Sequence, residues 1–206
     1  MKMDRLKFYL VTDSDILRER DFYKSVEEAL SGGVTCVQLR EKNLLGKEFL
    51  IKAKKIRELT RKYNALFIVN DRIDIAMLSD ADGVHVGQAD LDILDVRKLI
   101  GSEKIVGVSA SNIEEAILAE KNGADYIGVG SIFPTNTKKD AKNVYLNGLK
   151  EIKKNINIPI VAIGGIKEDN IKLIKDIGVN GYAIVSDILS AKNIKEKCEN
   201  INLIIK

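Results

Sequence analysis

The chain has 206 residues, 45% hydrophobic and 31% charged, which supplies apolar material for a buried core and excludes an intrinsically disordered polypeptide. Its 33 basic and 30 acidic residues are spread along the whole length and leave a formal charge of +3, so no dense basic tract of the kind that grips nucleic acid stands out. The longest apolar runs, such as Ile158-Pro159-Ile160-Val161-Ala162-Ile163, are too short to span a bilayer, and Met1-Lys2-Met3-Asp4-Arg5-Leu6 leads into a strand without a signal-peptide segment, so no membrane association and a cytoplasmic location are expected.

Along the chain, eight short β-branched segments recur, at residues 8–12, 36–39, 66–70, 83–86, 105–108, 126–129, 160–163 and 182–185. Between them lie amphipathic stretches, including 21–31, 47–63, 113–121 and 169–176, where apolar residues recur three or four apart among Lys and Glu. Alternation of strand and helix favours a parallel sheet with helical crossovers, and the pattern predicts an α/β fold, a (β/α)8 TIM barrel forming one domain over residues 1–206. A weak echo supports closure: Ser31-Gly32-Gly33-Val34, Asp80-Ala81-Asp82-Gly83, Asn122-Gly123-Ala124-Asp125 and Ile177-Gly178-Val179-Asn180 each lead into a strand, roughly every second strand–helix unit. An open doubly wound sheet is the alternative, but its glycine-rich loop after the first strand is replaced here by Thr12-Asp13-Ser14-Asp15.

In a barrel, chemistry belongs at the C-terminal strand ends. After the second segment comes Gln38-Leu39-Arg40-Glu41-Lys42, where alternation aims Gln38, Arg40 and Lys42 one way. An Arg fork and a Lys point charge suit a polyphosphate, and pairing with Glu41 at the surface is the plain alternative. The third and fourth segments run into Asn70-Asp71 and Gly87-Gln88-Ala89-Asp90. Carboxylates on neighbouring loops can hold Mg²⁺, although Asp71 and Asp90 also fit helix N-caps.

His85 is the one histidine of the chain and, flanked by Val84 and Val86, is expected to be a hydrogen-bonded packing residue. Ser109 lacks a nucleophile elbow and suits a phosphate-binding hydroxyl. The sixth segment opens into Gly130-Ser131-Ile132-Phe133-Pro134-Thr135-Asn136-Thr137-Lys138-Lys139, either a phosphate-wrapping loop or a lysine-rich surface loop. The seventh stops at Gly164-Gly165 and the eighth at Val185-Ser186-Asp187, the position where barrels commonly cradle a phosphate, with a tight packing turn and an N-cap at Ser186 as alternatives. Cys36 and Cys198 have no metal-ligand spacing and suit a reducing compartment.

Taken in order from Tyr9-Leu10-Val11-Thr12-Asp13 to Val185-Ser186, the chain resembles the thiamine-phosphate synthase family. The pieces that carry the likeness are Gln38-Leu39-Arg40-Glu41-Lys42, Val69-Asn70-Asp71, Gly83-Val84-His85-Val86-Gly87-Gln88 with Asp90, Gly107-Val108-Ser109, the loop from Gly130 to Asp140, and Ile163-Gly164-Gly165-Ile166. The resemblance implies a (β/α)8 enzyme joining 4-amino-2-methyl-5-pyrimidinylmethyl diphosphate to a thiazole phosphate, with Mg²⁺ as cofactor and small molecules as partners. By it, Gln38, Arg40, Lys42, Asn70, Ser109 and Lys138 hold the pyrimidine diphosphate, with Leu39 and Glu41 in the same binding run. Arg40, Lys42 and Lys138 assist catalysis, and Asp71 and Asp90 hold the metal. Thr135, Asn136, Thr137, Gly165, Val185 and Ser186 receive the thiazole phosphate.

Two other readings stand beside this one. A thiazole tautomerase is a similar barrel that relies on a His after the fifth strand, where this chain has Ser111-Asn112. Synthases often carry His there too, so the departure touches both families, but it removes the tautomerase's acid–base group. A non-catalytic phosphate-binding barrel would not need Asp71 and Asp90 together with Arg40, Lys42 and Lys138. Self-association is left open by the sequence.

Overall fold

Eight parallel strands pair in sequence order and close on themselves: β1 (Phe8–Val11), β2 (Cys36–Leu39), β3 (Leu66–Asn70), β4 (Gly83–Val86), β5 (Ile105–Ala110), β6 (Tyr126–Val129), β7 (Ile160–Ile163) and β8 (Gly181–Ile184), the last pairing with the first. The computed structural model describes residues 2–135, 137 and 142–206. Helices α1 (Ser14–Leu17), α2 (Phe22–Ser31), α3 (Gly46–Lys62), α4 (Ile73–Leu78), α5 (Ile93–Ile100), α6 (Ile113–Lys121), α7 (Tyr145–Asn155), α8 (Lys172–Lys175), α9 (Ser186–Leu189) and α10 (Ile194–Ile205) lie between and after the strands. None of the helices is long and apolar enough to cross a membrane, among the described residues.

The expected strands all form, with small shifts. β1 ends at Val11, because Thr12 leaves the strand while its amide still donates to Gln38 O and its hydroxyl accepts from the Arg40 amide. The expected helix at 169–176 contracts to Lys172–Lys175. Asn170 diverts that first turn: its side chain accepts from the Lys167 amide and donates to Gly165 O, a local bonding pattern that competes with the helix.

Alternation along each strand sorts side chains between two cores. Phe8 and Leu10 face outward into the large layer beneath the helices, whereas Tyr9 and Val11 face inward with Cys36, Ile68, Tyr126 and Val161. The bulk of Tyr126 is accommodated by Gly107, where an added Cβ would sit 2.2 Å from the Tyr126 ring. Cys36 belongs to the inner core and Cys198 to the outer one, so the two thiols are buried on opposite sides of the wall.

The sequence echo has a structural counterpart at the end of the barrel where the strands begin. Thr35, Asp82, Asp125 and Asn180, each the residue before an even-numbered strand, bond twice to the odd strand preceding it. Their amides donate to Phe8 O, Phe67 O, Val106 O and Ile160 O, and their side-chain oxygens accept from the amides of the same four residues. Asp82 also accepts from both terminal guanidinium nitrogens of Arg57, at 2.8 and 3.2 Å. Removing it strands a buried amide and a mostly buried cation, so Asp82→Ala is expected to lower the urea unfolding free energy by about 3 kcal/mol with kcat unchanged, because the substitution lies at the end of the barrel remote from the site. A loss no larger than that of an exposed ion pair, about 0.5 kcal/mol, would show that the clamp does not hold the wall.

Candidate active site

At the opposite end, the loops after the strands enclose a cavity of about 380 Å³. Gln38, Arg40 and Lys42 all line it, as their alternation requires. Leu39 and Glu41, the odd members of that run, are not brought to it. Leu39 is buried in the outer core, and the Glu41 carboxylate accepts from Ser14 Oγ at 2.6 Å and Lys52 Nζ at 2.7 Å. Arg40 therefore does not pair with Glu41. Its guanidinium sits 3.7 Å from Asp13, a long contact that leaves it able to meet an anion.

Asp71 and Asp90 come together on the next two loops, beside Asn70. Asp71 adopts φ 60°, a left-handed backbone uncommon outside glycine, with its amide donating to His85 O. Burial, reinforced by the charge of Asp90 and a hydrogen bond with it, pushes the Asp71 carboxyl up to about 6, against the opposing pull of Lys42 and Asn70. Asp90 is pinned by the Gly87 amide at 2.7 Å. Neither residue caps a helix: Asp92 caps α5, and α4 starts after Arg72 without a side-chain cap. Among the described residues no group of three or more His, Cys, Asp or Glu gathers in a metal-holding arrangement, so any ion here rests on this pair, neighbouring amides and water.

Ser109, near the end of β5, and Ser111, just after it, both line the cavity. Ser111 is held by Glu115, whose carboxylate accepts from its amide at 2.7 Å and its hydroxyl at 2.9 Å, while Asn112 caps α6 through the Glu115 amide. The sequence reading overlooked Glu115, although Asn112 with Glu three residues later is a readable capping signature. It also overlooked Lys142, a cation in the lining. Of the loop after β6, Thr135 and Thr137 reach the cavity; Asn136 and Lys138 lie outside the described residues.

Gly165, Val185 and Ser186 complete the far wall. Gly164 and Gly165 have φ 96° and 64°, and a Cβ on either would come within 2.6 Å of Ser131 Cα or Pro134 O. The packing-turn and cavity-lining readings thus meet in the same two residues. Ser186 is the first residue of α9, with Val185 at the cap position, so it is not an N-cap.

The floor is polar. Tyr9, Tyr126 and His85 form a hydrogen-bonded line between Gln38 and Ser109. His85 is buried and hydrogen-bonded, as expected of a packing residue.

The family model for thiamine monophosphate synthase matches residues 8–188 of this chain. A thiamine-phosphate synthase of Clostridioides difficile strain 630 is 58% identical over 198 residues, covering 96% of this chain and 94% of that protein. One from Clostridium acetobutylicum is 51% identical and covers 100% of this chain and 98% of its own length. Among solved structures, a thiamine phosphate pyrophosphorylase from Pyrococcus furiosus superposes with a TM-score of 0.92 at 41% identity, over 98% of this chain and 96% of that one.

Proposed function

Since the chain belongs to the thiamine monophosphate synthase family, we propose how its cavity performs the condensation. The chain is a transferase that joins 4-amino-2-methyl-5-pyrimidinylmethyl diphosphate to a thiazole phosphate, releasing pyrophosphate and forming thiamine phosphate. In our reading the diphosphate lies against Arg40, Lys42 and Lys138, with Gln38, Asn70 and Ser109 completing its site. The thiazole phosphate sits among Thr135, Asn136, Thr137, Gly165, Val185 and Ser186. The supporting observation is that the cations after β2 and the glycine turn after β7 open into one cavity of about 380 Å³, leaving two anion-binding walls facing a shared interior.

The bond from the pyrimidine methylene to the diphosphate breaks with its electron pair leaving on pyrophosphate. The aminopyrimidine ring stabilises the methylene cation, and the thiazole nitrogen supplies the lone pair of the new C–N bond. No side chain need remove a proton, which suits a site whose histidine has both ring nitrogens engaged by Tyr126 and Ser109. Arg40 and Lys42 are placed to balance the charge that grows on the departing oxygens. Two opposed carboxylates beside an amide fit a hard cation that keeps most of its water. We assign Mg²⁺ to Asp71 and Asp90, where its chemistry is to add positive charge next to the leaving group. This reading places the enzyme in the cytoplasm with small molecules as its partners.

The test is product formation by purified protein given both substrates, with and without Mg²⁺: thiamine phosphate and pyrophosphate are expected in equal amounts with the metal. No product from folded protein under either condition would overturn the reading. Metal binding should also follow pH. The Asp71 proton, leaving near pH 6 in the metal-free chain, competes with Mg²⁺, so calorimetry should find affinity about tenfold weaker near pH 5 than near pH 7.5. Equal affinity at both would remove Asp71 from the ligand set.

A further inference from the structure

The hydrogen-bonded line under the cavity runs through five strands. Gln38 Nε2 donates to the Tyr9 hydroxyl at 2.8 Å, and the Tyr9 and Tyr126 hydroxyls are 2.9 Å apart. The Tyr126 hydroxyl is 2.9 Å from His85 Nδ1, and His85 Nε2 is 3.0 Å from Ser109 Oγ. The backbone is cleared for these rings: a Cβ at Gly107 would overlap Tyr126, and one at Gly128 would press on His85 Cε1 at 3.0 Å. Tyr9 and Tyr126 are 1% and 0% exposed, so water does not substitute for a missing partner, and burial pushes both phenols well above their ordinary range and keeps them protonated.

Each hydroxyl carries one proton and a neutral imidazole carries one N–H. With each of these protons spent inside the line, and not on the Cys36 thiol that also meets Tyr9, every donor points the same way and two polarities are self-consistent. In one, the Gln38 amide N–H donates to Tyr9, Tyr9 to Tyr126 and Tyr126 to His85 Nδ1. His85 then donates from Nε2 to Ser109, whose hydrogen is left for the cavity, while Gln38 keeps its carbonyl oxygen turned away from Tyr9. In the other, Ser109 donates to His85 and every arrow reverses, so that Gln38 turns its carbonyl oxygen to Tyr9 and its NH₂ away.

We propose that Tyr9, Tyr126 and His85 are positioning residues that couple the two ends of the pyrimidine diphosphate site, so that an anion accepting from the Ser109 hydroxyl fixes the Gln38 carbonyl as an acceptor for the amino group of the pyrimidine ring. The inference rests on the reading that Gln38 and Ser109 hold this substrate. Anion recognition at one end thereby selects a hydrogen-bond donor on the heterocycle at the other, and a ring presenting a carbonyl in place of the amine meets a mismatched acceptor.

His85 being the sole histidine, protein labelled with nitrogen-15 in its imidazole reports one pair of ring nitrogens. The probe is inorganic pyrophosphate with Mg²⁺ on the wild-type protein, at about pH 8, above the ordinary imidazole range. The expected spectrum is the tautomer protonated at Nε2. Tyr126→Phe removes the donor to Nδ1 and should give a mixed tautomer, with kcat/KM for the pyrimidine diphosphate falling about tenfold, the equivalent of one hydrogen bond, and KM for thiazole phosphate unmoved. If the wild-type protein makes thiamine phosphate but His85 carries its proton on Nδ1 with pyrophosphate bound, the coupling alone fails. If it makes no thiamine phosphate, the underlying assignment fails with it. The wild-type spectrum decides the matter even if Tyr126→Phe does not fold.

Discussion

Asp71→Asn is expected to make the metal-free protein more stable and the working enzyme at least about a hundredfold slower, the scale of several kcal/mol of charge stabilisation at a leaving group. The two effects share one cause. The Asp71 carboxyl, raised to about 6 by burial and by Asp90, binds its proton more tightly in the folded chain than in the unfolded one. Its contribution to stability is thus fully present below the ordinary aspartate range and is lost as pH rises through about 6. Above that, the folded chain holds two like charges together. The asparagine removes the repulsion and is expected to gain about 1 kcal/mol near pH 8, a figure discounted for solvent screening because Asp71 is only half-buried. Near pH 4 the gain should vanish. Thermal unfolding of metal-free protein at both pH values, beside turnover with Mg²⁺, checks the pair. A variant that is both slower and less stable near pH 8 would show that Asp71 serves the fold and not the metal.

Gly164→Ala is expected to destabilise the protein by about 4 kcal/mol, the sum of a left-handed alanine and an overlap that no rotamer relieves, and to raise KM for the thiazole phosphate more than it lowers kcat. At φ 96° the added methyl sits 2.6 Å from Ser131 Cα and Oγ. Ser131 cannot withdraw easily: its amide donates to Lys142 O, its hydroxyl donates to Phe133 O, and the Phe133 amide donates to Gly164 O. Any movement that frees the methyl drags the loop after β6 away from the turn after β7. Gly178→Ala is the control, since it shares the left-handed backbone, at φ 76°, but a Cβ there meets nothing within 4 Å. It should cost only about 1 kcal/mol. Equal losses in the two variants would assign the effect to backbone conformation alone and separate the turn from the loop.

The barrel was legible because its strands are β-branched runs introduced by Gly, Asp or Asn, and these leads are the residues that end helices and clamp strands in the folded chain. Period-two alternation likewise put Gln38, Arg40 and Lys42 together, and applying it strictly would have sent Leu39 and Glu41 outward, where they are found. That Asp71 and Asp90 do not cap helices could not be read from sequence, since each stands shortly before an apolar stretch and only the fold shows Asp92 taking that work for α5. The tyrosine floor was hidden for a different reason. In Phe8-Tyr9-Leu10-Val11 both faces are buried, so the alternation that would single out Tyr9 carries no polarity contrast.

The clamps at Thr35, Asp82, Asp125 and Asn180 give the wall an uneven weave. Each fastens β1 to β2, β3 to β4, β5 to β6 or β7 to β8, whereas among the intervening seams the one between β4 and β5 is tied differently, by Lys104 Nζ donating to Ala81 O and Asp80. The clamps thus group the strands into doublets, the second and third joined by Lys104, and these are the expected units of partial opening. The site divides along the same lines. Gln38, Arg40 and Lys42 belong to the first doublet, Asp71 and Asp90 to the second, Ser109 and Thr135 to the third, and Gly165 and Ser186 to the fourth. A breach between doublets disturbs how these groups face one another before it damages any one of them, so turnover is expected to fall earlier in a loosening barrel than the binding of either substrate alone.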